Sequence, residues 1–322
     1  MIDAHIHYAA DMGAAALRQI AAAQQLDGMA LMCLPKGDAR PTEDDAFAFA
    51  KESSVPVYVF GSIPRSVYAL PAAAQPQAIL QAAQQLMARG CTGIKMLEGK
   101  PDVRKNHRVP PFNSAAFAPF WQWAEQAQTP VVFHVNDPAD FWNAATLTEF
   151  QIKAGWYYDD TYINNEVQYT EVLEVLARHP QLRVLFPHFF FMSEQLPRLG
   201  AILDAYPHVM TDVTPGVQLV YNLGADPNAA AFFARYQTRI CYGTDMGARQ
   251  VIFPQPQALD EAECRSRYTL IQTFLRAQAP YTLREDGAYV KGRAPAQIHP
   301  LCLSTAALQC IFNDNFLQFI AP

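Results

Sequence analysis

An alternation sets in at the first residues of this chain and limits what it can become. A short apolar run is followed by a longer amphipathic run, and the pair recurs eight times. Short apolar runs bounded by turn residues read as strands buried on both faces, and the runs between them as helices. The strand-like runs are 1–6, 28–34, 55–62, 92–97, 130–135, 182–187, 209–214 and 239–244. The helical runs are 13–26, 42–52, 75–89, 114–128, 166–178, 193–205 and 227–237, with a further helix near 258–277 and one or two over 303–320. Thr42, followed by Glu43, Asp44 and Asp45, and Ser114 read as helix starts, and Gly90 as a stop.

Strand–helix pairs in this order predict an α/β fold, a closed (β/α)8 TIM barrel. The expectation is one domain over 1–322, with 136–165 as a loop or lid after strand five and 280–322 as a C-terminal extension. A doubly wound open sheet is the alternative, but it would carry a Gly-rich phosphate turn after an early strand, and the sequence has none.

Composition narrows the function classes. Hydrophobic residues make up 51% and charged residues 17%, enough for a large core and contrary to disorder. A net charge of −6 repels phosphate backbones, which argues against nucleic acid as a partner. The six cysteines form no C-x-x-C pair, so small buried thiols are expected rather than disulfides or a thiolate metal site. The opening MIDAHIHYAA has neither a basic nor an apolar leader region, and the apolar stretch 184–192 is too short to span a bilayer. A cytoplasmic protein with no membrane partner is the expectation.

The chemistry concentrates at strand ends. Residues 3–7 read D-A-H-I-H, and regular strand alternation would put Asp3, His5 and His7 on one face, pointing into the barrel. His134 ends strand five, His188 follows strand six, and Asp245 ends strand eight in G-T-D. All fall at the C-terminal end of their strand, the catalytic face of a parallel barrel. The other histidines, His107, His179, His208 and His299, lie in loops or the tail and read as surface or capping residues.

This distributed pattern resembles the amidohydrolase superfamily, and within it the branch that contains aminocarboxymuconate semialdehyde decarboxylase and γ-resorcylate decarboxylase. The likeness runs from residue 2 to the terminal NDNFLQFI. It implies that His5, His7, His134 and Asp245 hold one divalent ion, zinc first and manganese second, with His188 as a catalytic histidine beside it. Such a donor set leaves an open position, where an ion lowers the pKa of water from ~16 toward ~7. The activity implied is attack of that water on a carbonyl of a small carboxylated substrate, assisted by Asp245 and His188. Non-oxidative decarboxylation of a small unsaturated or aromatic acid is the alternative, and a metal-binding barrel without catalysis a third reading. The third would lack a ligand or general base, and none is missing.

Other residues keep more than one reading. Lys95, in G-I-K-M on strand four, is an unmodified lysine contacting substrate, a carboxylated bridge between two ions, or a stem packed in the barrel. Asp212, in T-D-V-T on strand seven, orients a ligand histidine or is an ordinary strand-end carboxylate. The aromatic-rich segment 136–165, with Trp142, is a lid over the substrate or an excursion packed by its own rings. Lys100, Arg104, Lys105, His107 and Arg108 after strand four, together with Arg65 and Arg249, could draw in an anionic substrate or be solvated charge. A homo-oligomer stays open.

Overall fold

The computed structural model describes residues 1–8, 13–34, 42–214, 217–247, 261–283 and 296–321. Eight strands form one sheet in the order of the chain. They are β1 (Ile2–Tyr8), β2 (Gly28–Cys33), β3 (Val57–Ser62), β4 (Gly93–Gly99), β5 (Val131–Val135), β6 (Val184–Phe186), β7 (Val209–Asp212) and β8 (Ile240–Cys241). Every neighbouring pair is parallel. Closure comes from the backbone beyond β8: Ala4 N donates to Tyr242 O at 3.0 Å, Asp245 N to His5 O at 2.9 Å and His7 N to Met246 O at 2.8 Å. The TIM barrel read from the alternation is the fold.

The strands divide their side chains between two cores. Outward residues such as Met29, Leu31, Ile94, Met96, Val131 and Phe133 pack against the surrounding helices. Inward residues Ala4, Ala30, Met32, Phe60, Val132, Leu185, Met210 and Cys241 fill the interior. Phe316 and Phe319 belong to that interior cluster, so the helix Asn315–Ile320 forms the barrel floor. Arg183 donates to the carbonyl oxygens of Gln318 (2.9 Å) and Phe319, and Asn315 Nδ2 donates to Gln237 O (2.7 Å) and Ile240 O (2.6 Å). All six cysteines are free and four are buried, as small apolar residues would be.

The register of β1 corrects the strand-face expectation. A bulge between Asp3 and Ile6 makes Ala4 and His5 face inward in succession. His5 and His7 therefore point into the barrel, while Asp3 turns outward. There it accepts from Thr244 N (3.1 Å), Thr244 Oγ1 (2.6 Å), Gln24 Nε2 (3.2 Å) and His5 N (3.1 Å). It braces β1 and does not face the barrel interior.

Helix boundaries differ where packing overrides local signals. The helix expected from Ser114 begins at Ala118, because the Ser114 hydroxyl closes a turn onto Pro111 O. Helices Pro101–His107 and Val217–Ala225 stand where loops were expected, and Tyr281–Leu283 pairs with Ala296–Ile298 as a small antiparallel ribbon. No helix among the described residues is long and apolar enough to cross a membrane.

Phe316→Ala should leave a cavity under the barrel and destabilise the protein by about 3–5 kcal/mol, the usual cost of truncating a buried phenylalanine. Urea unfolding measures it; a change below about 1 kcal/mol would show that the floor is dispensable.

Candidate active site

The C-terminal strand ends bring together a buried group of imidazoles and carboxylates. His5, His7 and Asp245 offer ligand atoms that all lie within 4.8 Å of one another, and all three are buried. His5 Nε2 lies 3.2 Å from His7 Nε2, and Asp245 Oδ1 lies 2.8 Å from His7 Nε2 and 3.6 Å from His5 Nε2. The tautomer of His5 follows from its other nitrogen: Nδ1 donates to Asp212 Oδ2 at 2.9 Å, which leaves Nε2 as a lone pair. Lys95, fully buried on β4, points its Nζ at that lone pair from 3.2 Å.

Asp212 reaches further than His5. Its Oδ1 accepts from His188 N (2.8 Å), Thr214 N (3.1 Å) and Thr214 Oγ1 (2.6 Å). Its contacts join the ring of His5 to the turn at His188. Thr214, which the sequence reading did not single out, also sets His188: its carbonyl oxygen accepts from His188 Nδ1 at 3.0 Å. His188 Nε2 is then a lone pair, facing His134 Nδ1 at 3.1 Å.

His134 stands beside His188 rather than inside the compact triad. Its Nε2 lies 3.6 Å from Asp137 Oδ1. Asp137 was also missed, although it follows His134 by three positions in H-V-N-D. Its other oxygen takes a salt bridge from Lys100 (2.6 Å) and a hydrogen bond from Tyr158 OH (2.5 Å).

Burial dominates the electrostatics. It lowers the pKa of His5, His7 and His134 and brings His188 down to about 4, so all four rings are neutral at pH 7. Burial also takes Lys95 down to about 8, against the pull of Asp245, Asp212 and Glu98. Neutral imidazoles are the form that binds metal.

The donor set fits a divalent ion. Asp245 Oδ1, His7 Nδ1 and His134 Nε2 are buried polar atoms without a hydrogen-bond partner. Asp245 Oδ1 lies at ion-pair distance from His7 Nε2, and both atoms also lie close to His5 Nε2. Two imidazole nitrogens and a carboxylate oxygen gathered within 4.8 Å of one another suit zinc or a similar cation.

The strand ends that carry this chemistry leave in left-handed backbone: Asn136 (φ 70°), His188 (φ 60°) and Asp245 (φ 54°). Phe189, Phe190 and Phe191 continue the left-handed run after His188, at φ 57°, 55° and 51°. Each such residue costs about 1–2 kcal/mol, so the packing around the turn must hold it. A cleft lined by Pro138, Phe191, Ser193, Thr214, Leu219 and Asn222 reaches His188 from outside.

The basic cluster after β4 is not a free anion trap. Lys100 is held by Asp137, and Arg104 makes a two-pronged pair with Glu171, at 2.8 and 2.9 Å. Lys105 donates to Thr161 and Arg108 caps a helix end, while Arg65 NH1 meets His107 Nε2 at 3.0 Å. These contacts tie the rim to segment 136–165 and neighbouring elements. Within that segment Phe141 stacks on Trp156 (5.4 Å), and Trp142 meets Tyr158 (4.9 Å) while its Nε1 donates to Ile163 O (3.1 Å). Trp142 packs within its own segment and is partly exposed. Arg249 lies outside the described residues.

The comparisons with known proteins follow the same lines. The amidohydrolase family model matches residues 2–315. No curated protein sequence matches the chain. Among solved structures, a probable 2-pyrone-4,6-dicarboxylic acid hydrolase from Acinetobacter baumannii, with citric acid bound, is similar over 99% of this chain and 98% of its own, at 11% identity and a TM-score of 0.54. The 2,6-dihydroxybenzoate decarboxylase from Rhizobium covers 99% and 98%, at 12% identity and a TM-score of 0.55. IDCase from Metarhizium anisopliae in its apo form covers 96% and 78%, at 12% identity and a TM-score of 0.56. At these identities the likeness is one of fold.

Two outcomes follow from this geometry. A Cβ at Gly243 would lie 2.6 Å from Thr214 Cγ2 and 3.0 Å from His5 Cβ. Gly243→Ala should therefore weaken metal retention by about 10- to 100-fold while leaving every donor present, as measured by zinc content after dialysis against a chelator. Full retention would mean that the site tolerates a shift of His5.

The second concerns acid. The folded pKa of His188, about 4, lies below its ordinary value of 6.5, so stability is full above 6.5 and falls as pH drops toward 4. That one ring contributes on the order of 3 kcal/mol, and the other three histidines act in the same direction. Asp3, raised by burial to about 6, opposes them, because protonation below 6 relieves its cost. Metal-free protein should unfold at a lower urea concentration at pH 5 than at pH 7.5; an unchanged midpoint would contradict the neutral-imidazole assignment.

Proposed function

The chain belongs to the amidohydrolase family, and from that premise we propose that this enzyme holds one divalent metal ion and acts on a small carboxylated molecule, cleaving it by hydrolysis at a carbonyl. The observation that carries the proposal is the buried convergence of His5 Nε2, His7 Nε2 and Asp245 Oδ1, the last without a hydrogen-bond partner. In this reading His134, buried beside His188, is the fourth ligand. Zinc is favoured by the nitrogen-rich donor set, with manganese the second choice.

Bound there, the ion supplies Lewis acidity toward a carbonyl oxygen and makes water more acidic. The chain's own residues do the rest. His188, neutral and held by Asp212 and Thr214, offers Nε2 as the proton acceptor and later the donor. Asp245 can take a proton at a carboxylate oxygen. The Lys95 ammonium, inside the barrel, pairs with the substrate carboxylate or a developing oxyanion once His5 Nε2 is engaged elsewhere. Asp212 keeps His5 and His188 in register.

Decarboxylation at the same site is the second reading. The likeness of fold to an enzyme named as a decarboxylase favours it, as does the placement of His188, whose Nε2 could deliver a proton to the carbon that loses carbon dioxide.

Metal content and turnover of three proteins test the assignment together, over a panel of lactones, amides and aromatic carboxylates. The parent should carry about one ion per chain and lose activity on chelation. His134→Ala should lose the ion. His188→Ala should keep it and lose about 100- to 10,000-fold in rate. A parent that binds no metal and is indifferent to chelators would overturn the metal assignment; loss of the ion from His188→Ala would make His188 a ligand.

A further inference from the structure

Asp245 lies beyond the regular sheet. β8 ends at Cys241, and Asp245 follows in left-handed backbone at φ 54°. A non-glycine residue keeps that conformation only where its surroundings enforce it. The other left-handed strand ends of the mouth are anchored at their N–H groups, His188 by Asp212 and Asn136 by Gly99 O. Asp245 is anchored at both of its peptide groups. Its N–H donates to His5 O at 2.9 Å, and its carbonyl, turned out of the ladder, accepts from Arg267 NH1.

Arg267 stands on helix Glu261–Arg276 and is buried, an uncommon place for a guanidinium. Its charge also reaches His7: burial is the main cause of the low pKa of that ring, and the Lys95 and Arg267 cations add to it. A cation so placed repels a divalent ion held by His7 and Asp245. Removing the charge alone would therefore tighten metal binding. Removing the brace on the Asp245 carbonyl would loosen it, because the carboxylate would lose its aim at His7 Nε2 (2.8 Å) and His5 Nε2 (3.6 Å).

We infer that Arg267 is a positioning residue: by holding the Asp245 carbonyl it fixes the left-handed turn that aims the Asp245 carboxylate at His5 and His7. The inference rests on the reading that these three residues bind a divalent ion. It adds a residue that acts through Asp245 and contacts neither the ion nor the substrate.

Titration of metal-free protein with zinc against a competing chelator, after urea unfolding has shown each variant to be folded, tests the inference. Arg267→Met should bind zinc about 10- to 100-fold more weakly than the parent, the range for removing a group that orients a ligand. Equal or tighter binding would overturn the inference. Arg267→Lys is the milder variant. It keeps the charge but not the reach of the planar fork, so it too should bind zinc more weakly, and parent-like binding would count against the brace. Arg183→Met removes another buried arginine that donates to carbonyl oxygens, at the barrel floor. It should lower the urea midpoint and leave zinc affinity unchanged; an equal loss of zinc would mean general loosening and overturn the specific role. In an Asp245→Ala background, Arg267→Met should weaken zinc binding no further. A further loss of the same size would show that Arg267 does not act through Asp245. A parent that binds no zinc would overturn the metal reading itself, and this inference with it.

Discussion

One fully buried carboxylate organises the mouth of this barrel. Asp212 accepts from the ring of His5, the backbone of His188, and both the backbone and hydroxyl of Thr214. A bare carboxylate at that depth would be very costly, and burial alone raises its pKa. Four donors make it tenable. They also leave it little freedom, so β1, β6 and β7 are joined at one residue. The tautomer of His5, the left-handed turn at His188 and the seat of the proposed ion all depend on it.

The residues gathered at the mouth were legible because strand ends are legible. Apolar runs locate the strands, their C-terminal ends locate the mouth, and His5, His7, His134, His188 and Asp245 fall there by counting. Local departures from regularity were not legible. The β1 bulge reverses Asp3, and no propensity marks where two residues will oppose one. The charge pairs of the rim form across long sequence separations, so Lys100 and Arg104 read as free cations until Asp137 and Glu171 are seen beside them. Thr214 carried no motif; its contact with His188 exists only once the turn after β6 has folded. Ser114 shows the limit of capping signals, since its hydroxyl satisfies a turn instead of a helix.

Those rim pairs bear on rigidity. Arg104 and Glu171 are both buried, and removing one partner of such a pair commonly costs about 3–5 kcal/mol, far more than an exposed pair like Arg18–Glu52. Asp137 lies between Lys100 and His134, so the tether of segment 136–165 also sets the ring next to His188. Gln168 continues the connection, accepting from Arg104 and donating to Asn136. The mouth is therefore braced from its rim as well as from its strands.

The floor of the barrel has a consequence for how the molecule is made. Ile2 and Ala4 share an interior with Phe316 and Phe319, so the earliest strand waits for a helix near the far end of the chain before its inner face is covered. Contacts of such long sequence separation are slow to form, because the intervening chain must be ordered first. Until they do, an open tube of Met32, Phe60, Leu185 and Met210 is presented to water. During synthesis this is a sticky surface of the kind chaperones shield, and the last turn of helix acts as the stopper that ends the exposure.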